Sequence, residues 1–267
     1  MTGKLHYIVC ISFIMLSSSS KAQSEVLNQI WNEYAFTQDL SKNWVVELDG
    51  GLTSSSFPDN NNYFSRIIQV YFRGWAHYYP GKRWKVSFFY AHYFNKNVPE
   101  LNQSDAPEYR FAFQVTYNLL KHHRININLR GRLEDRNIKN EELTFESVER
   151  LRLQAKAVYP LNGPKVDKRI VYAFLSDEVF LKTKSDVSGK DIFDRNRLTA
   201  GLGYPVTDKF QLELSYANEF LPRSGGNKLY NAIQLNVVLI NLFSKAEKPF
   251  KREKTEVDEA APSGGGS

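Results

Sequence analysis

Between Glu108 and Glu134 the chain alternates apolar and polar residues with a period of two, twice in succession, about the short polar turn Lys121-His122-His123-Arg124. Tyr109, Phe111, Phe113, Val115, Tyr117 and Leu119 share one face of the first run, with Glu108, Arg110, Gln114, Thr116 and Asn118 on the other. In the second run Ile125, Ile127, Leu129 and Leu133 oppose Asn126, Asn128, Arg130, Arg132 and Glu134. A two-residue period puts successive side chains on opposite faces of a strand. The runs exceed the five or six residues usual in a soluble strand and match the roughly ten that a tilted strand needs to cross a bilayer. A hairpin greasy on one face and ionic on the other predicts a transmembrane β-barrel.

The alternation recurs along the chain. Trp44 to Thr53, Trp84 to Phe94, Thr144 to Tyr159 and Phe210 to Phe220 all separate an apolar from a polar face. Tyr63 to Tyr78 sets Phe64, Ile68, Val70, Phe72, Ala76 and Tyr78 outward, with Ser65, Gln69, Arg73 and His77 inward. Ile170 to Leu181 is apolar on both faces, so either Asp177 or Glu178 points inward, and Glu178 is favoured. The terminal strand is expected over Tyr230 to Phe243, whereas Asn28 to Phe36 alternates poorly. Eleven segments can be read in this way, yet single-chain bacterial barrels normally have an even number of strands. The expected fold is therefore an antiparallel up-and-down barrel of ten to twelve strands, twelve favoured; either Asn28 to Phe36 is not a full strand or one more strand is concealed.

Tight turns at Pro80-Gly81 and Pro205 to Lys209 alternate with longer polar loops such as Asn95 to Pro107, the turn-and-loop asymmetry of outer-membrane barrels. Trp44, Tyr78, Trp84, Tyr117, Tyr159, Tyr204, Phe210 and Phe243 gather at the tight-turn end and read as an interfacial girdle. A soluble β-sandwich with charged outer faces is the competing reading. Hydrophobic content is 42% with 14% aromatic, and no window reaches the roughly 18 apolar residues of a spanning helix.

Residues 1–22 read as a secretory signal, with Lys4 and His6 before an apolar run and cleavage after Ala22. The single cysteine, Cys10, falls inside it and lacks the small-residue context of a lipoprotein site, so disulfide and thiol chemistry are not expected of the mature chain. Removing Lys4 and Lys21 from 35 basic residues leaves 33 against 29 acidic ones, too mild a balance to argue for nucleic acid. The barrel is expected over residues 23–243, a polar disordered tail over 244–262, and a Gly-Ser linker over 263–267.

Several local runs carry a family resemblance. Glu149-Arg150-Leu151-Arg152 precedes Tyr159-Pro160-Leu161, followed by Glu178. Asp194-Arg195-Asn196-Arg197-Leu198 then runs into Ala200-Gly201-Leu202-Gly203-Tyr204, with Leu212-Glu213-Leu214-Ser215-Tyr216 and the terminal strand completing the set. In these features, most specific from Glu149 onward, the chain resembles the outer-membrane barrels of Gram-negative bacteria grouped as domain of unknown function 2490. The resemblance implies an outer-membrane barrel and supplies no activity. Phe243 is also similar to the aromatic end of an insertion signal, although here a tail follows it.

The candidate chemistry is the lumen, predicted to hold Arg73, Arg110, Arg130, Arg132, Arg150, Arg152, Arg195 and Arg197 against Glu47, Asp49, Glu108, Glu134, Glu178 and Glu213. Arginine presents a planar fork suited to bidentate carboxylate pairing. Two readings follow: a narrow pore whose arginines favour anions, or a closed structural barrel whose ion pairs fill the core. An enzyme acting on lipid would need a serine beside a histidine. His92 and Ser87 differ in parity and face opposite ways, and neither His77 nor any cross-strand serine is singled out. His122-His123 reads as an exposed turn, and no metal or cofactor motif is present. The chain is thus expected to be no enzyme, to contact outer-membrane lipid, and to meet membrane-complex protein partners through its tail or loops, in which case it is an accessory subunit of a larger assembly or secretion machine.

Overall fold

The computed structural model describes residues 25–101, 105–120, 124–140, 142, 144–223 and 225–243. The expected signal segment with Cys10, the His122-His123 turn, the tail and the Gly-Ser linker lie outside the described residues. Eleven strands follow one another: β1 (Glu25–Asp39), β2 (Trp44–Ser55), β3 (Arg66–Gly81), β4 (Trp84–Asn95), β5 (Ala106–Asn118), β6 (Asn126–Lys139), β7 (Phe145–Pro160), β8 (Tyr172–Lys182), β9 (Phe193–Thr207), β10 (Phe210–Leu221) and β11 (Lys228–Ile240). They form one closed barrel in which each strand pairs with its neighbours in sequence and β1 pairs with β11.

The count of eleven lies within the expected range, but the favoured twelve and a fully antiparallel sheet do not describe it. An odd number of up-and-down strands leaves the first and last running the same way, so the seam between β1 and β11 is parallel, from Glu25 opposite Lys228 to Thr37 opposite Ile240. Parallel pairing is slightly weaker per residue, and side chains reinforce it here. Leu27 packs on Leu221 and Tyr230, and Trp31 on Ala217 and Ala232. At the foot of the seam Asn241 accepts from the Asp39 amide at 2.8 Å and donates to its carboxylate at 3.0 Å. The weakly alternating first segment is therefore a full strand of 15 residues. Its pattern is blurred because Trp31 and Ala35 point inward while Asn32 lies on the outer face.

Three further departures have local causes. Ile68, expected outward, is buried because a β-bulge between Thr53 and Ser54 leaves it as the extra residue opposite β2, and Ile67 takes the outer position instead. β3 starts at Arg66, so Phe64 and Ser65 belong to the preceding loop. β11 stops at Ile240, where Asn241 adopts a left-handed φ of 52°, which leaves Phe243 beyond the strand and exposed. In β8 the buried carboxylate is Glu178, and the apolar character of both faces arises because Tyr172, Phe174 and Phe180 are all buried within the barrel.

The sheet is inside out relative to a soluble protein. Leu48, Phe72, Phe88, Phe111, Leu133, Leu153, Leu202 and Leu214 are exposed on the outer surface, while the alternate positions bury charged groups. Connections 40–43, 82–83 and 208–209 are short at one end, and 56–65, 96–105 and 183–192 are longer at the other. Two connections, 119–125 and 161–171, lengthen the tight-turn end.

Candidate functional site

Strand parity aims every second side chain of each strand into the lumen, and it brings the charged set into contact. Arg73, Arg110, Arg132, Arg150, Arg152, Arg195, Arg197, Glu47, Asp49, Glu108, Glu134, Glu178 and Glu213 are all buried within the barrel, and the Arg130 side chain is 11% exposed. In the long-loop half and middle of the lumen, Glu108, Glu134, Glu178 and Glu219 each serve more than one guanidinium group. Glu134 accepts from Arg132 at 3.2 Å, Arg150 at 2.8 Å and Arg152 at 2.9 Å. Arg152 continues to Glu178 through a bidentate pair at 2.9 and 3.0 Å, and Arg130 reaches the same Glu178 at 2.6 Å. Glu108 takes bidentate bonds from Arg136, at 2.7 and 3.1 Å, and from Arg110. Arg195 and Arg197 share Glu219 at 2.6 and 2.5 Å. Arg73 bridges Asp49 at 2.6 Å and Glu33 at 2.5 Å. Such charge-assisted forks fix geometry as well as charge, and the lattice ties neighbouring strands together around the lumen wall.

Several members of this lattice were not among the expected lumen residues. Glu33 is hidden in the weakly alternating β1. Arg136 and Glu219 extend the parity of Arg132 and Glu213, which is the signal that locates them. Asp194 is buried because a bulge between Phe180 and Leu181 makes it an extra residue, so it and Arg195 both turn inward. Asp194 then meets Arg223, from the loop after β10, at 2.8 Å.

Aromatic rings interleave the guanidinium groups. Arg110 lies 3.7 Å over the ring of Tyr93, and Arg152, Arg197, Arg150 and Arg195 surround Phe180 at 4.5, 5.1, 5.4 and 5.7 Å. In this dry setting cation–π contact adds to the ion pairs. Two tyrosines lie flat against glycines directly opposite them on the neighbouring strand, Tyr71 against Gly51 and Tyr172 against Gly203. A Cβ at either glycine would collide with the ring, and the close approach lets Tyr71 donate to Glu33 at 2.7 Å and Tyr172 to Glu213 at 2.5 Å.

The long-loop mouth is covered. Val98 and Leu101 of the loop after β4 and Val187 of the loop after β8 pack with Ile138 and Val148. Glu100 accepts from Tyr230 at 3.1 Å, and Lys228 donates to the Pro99 carbonyl at 2.5 Å.

The tight-turn half is looser. It contains a polar cavity of about 70 Å³ lined on all sides by strands, whereas a second cavity near Gln29 and Trp31 measures about 30 Å³. Lys156 stands 3.8 Å from Glu213, and His77 Nε2 stands 3.7 Å from Glu47. His77 and Ser87, directly opposite on β3 and β4, join through Nδ1 and Oγ at 2.8 Å. This is the serine–histidine contact that parity along one strand could not reveal, because the partner comes from across the strand pair. His92 lies on the outer side instead, stacked on Phe94 at 4.2 Å. Among the described residues no group of three or more His, Cys, Asp or Glu could hold a metal.

On the outer surface Trp44 and Tyr78 pair at 4.9 Å and Trp84 and Tyr117 at 4.5 Å, all at the tight-turn end. Tyr159 and Tyr204 are exposed at the same end, and Phe210 is half-buried there. Asp177 interrupts the apolar surface. It is the middle residue of β8, opposite Ala155 and Leu198, and accepts from Asn196 Nδ2 at 2.7 Å.

Solved structures similar in fold include LpxR from Salmonella typhimurium, with a TM-score of 0.44 and 8% identity over 74% of this chain and 83% of that one. The translocator domain of the autotransporter NalP from Neisseria meningitidis is also similar, with a TM-score of 0.42 and 15% identity over 71% of this chain and 73% of that one. No curated protein matches the sequence. The family model described as "Protein of unknown function (DUF2490)" matches residues 28–230, and the chain belongs to that family.

Proposed function

We propose that this protein is a sealed, non-catalytic structural barrel of the outer membrane, with its long loops outside and its tight turns in the periplasm. The observation that carries this reading is the buried arginine–carboxylate lattice that lines the lumen, in which Glu134 alone holds Arg132, Arg150 and Arg152. A conducting pore needs a continuous watery path. Here guanidinium groups and rings crowd the lumen, and two cavities among the described residues measure about 70 and 30 Å³. Planar-bilayer recordings of the purified barrel test this: silence is expected, and reproducible single-channel steps whose anion preference falls in Arg130→Ala or Arg150→Ala would establish the pore instead.

A second reading, an accessory subunit of a membrane assembly, is favoured by Asp177. A carboxylate at the middle of a lipid-facing strand is costly and marks a functional position by default. Ala155, directly opposite on β7, is small and lets another surface approach closely. Native electrophoresis in mild detergent would then show a species far above the 30.9 kDa chain that disappears in Asp177→Leu. Migration as a lone barrel in both forms would sink this reading. Lipid hydrolysis gains little from the His77–Ser87 pair, because Ser87 is fully buried.

A further inference from the structure

The tight-turn half of the lumen has donors without acceptors. Asn128 and Arg130 are alternate residues on β6, and Lys156 on β7 stands directly opposite Asn128. All three line the cavity of about 70 Å³. Asn128 is 3% exposed, and neither its Nδ2 nor Arg130 Nε has a hydrogen-bond partner among the described residues. Lys156 Nζ has Glu213 at 3.8 Å, too long for a hydrogen bond, and the face of Phe174 at 4.2 Å. Glu213 is already engaged by the Tyr172 hydroxyl at 2.5 Å. A buried donor left unpaired is costly, and here two, with the Lys156 ammonium beside them, line one space.

Charge points the same way. Six Arg and Lys side chains line this cavity against three Glu. Over the whole lumen the buried side chains with Arg130 amount to twelve Arg and Lys against nine Asp and Glu, an excess of three positive charges. A water needs about 10–15 Å³ on the same measure of space, so the cavity holds several waters or one tetrahedral oxyanion.

We infer that the β6–β7 wall is a binding site for a small inorganic oxyanion of the phosphate or sulfate type. Lys156 supplies an ammonium, Arg130 its free Nε–H while its other end stays on Glu178, and Asn128 a neutral amide donor. This goes beyond the structural role proposed above and does not depend on whether the barrel conducts.

The test is calorimetric titration of the full-length barrel in detergent, in low-salt zwitterionic buffer, with inorganic phosphate and separately with sulfate. One saturable site per barrel is expected, weakened at least tenfold in Lys156→Gln and less in Asn128→Leu. A heat-modifiable gel shift verifies that each variant is folded, and Asn128→Leu decides the matter if Lys156→Gln is not. Absence of saturable binding by either anion overturns the inference. So does equal affinity in the folded variants, or equal affinity for chloride.

Discussion

The two halves of the lumen share the same strands and the same alternation, yet they hold their charges differently. Towards the long loops, carboxylates grip arginine forks at hydrogen-bond distance, and Arg150, Arg152, Arg195 and Arg197 wrap one ring, Phe180. Towards the tight turns, the charged contacts at Lys156 and His77 lengthen to 3.8 and 3.7 Å around a cavity. Arginine binds two carboxylate oxygens at once and is only weakly hydrated, whereas lysine is a compact, strongly hydrated point charge. The long contacts of Lys156 and His77 thus mark the chamber off from the seal, although Arg73, Arg130, Arg132 and Arg197 line it as well.

That contrast can be broken at the seal first. Glu134→Ala leaves three buried guanidinium groups short of an acceptor, and removing one partner of a buried pair costs about 3–5 kcal/mol; urea unfolding in detergent should show a loss of that size or no folded barrel. Gly203→Val drives a side chain into Tyr172, an overpacking that costs about 1–3 kcal/mol. Its midpoint of heat modification should fall, and adding Tyr172→Ala should recover part of the loss. Phe180→Leu keeps most of the volume but removes the ring beneath four arginines, for an expected loss of about 1–2 kcal/mol in the same assay. At the chamber Lys156→Gln should cost less than Glu134→Ala, since the ammonium's ion pair with Glu213 is long, at 3.8 Å. If Lys156→Gln destabilises as much as Glu134→Ala, the two halves are not distinct.

Much of this architecture is legible in the chain because the side-chain period of a strand is two. One outward face read from Phe111 and Phe113 places Arg110 and Gln114 inside without any tertiary information. The bulges escape such reading: one extra residue reverses parity, which hides Ile68 and Asp194. β1 escapes because its buried Trp31 and outer Asn32 invert the usual chemistry of the two faces. Interior aromatics such as Trp75 and Phe180 read as lipid-facing unless their parity with Arg73 and Glu178 is followed. The His77–Ser87 pair and the parallel seam depend on register between strands, which no single strand encodes.

The most direct test of the sealed lumen is iodide efflux from proteoliposomes carrying the purified barrel at known density. Efflux indistinguishable from empty liposomes is expected for the wild type, with flux appearing when Arg152 and Glu134 are both replaced by glycine in a barrel that still folds. Rapid iodide loss through the wild-type protein would contradict a sealed lumen.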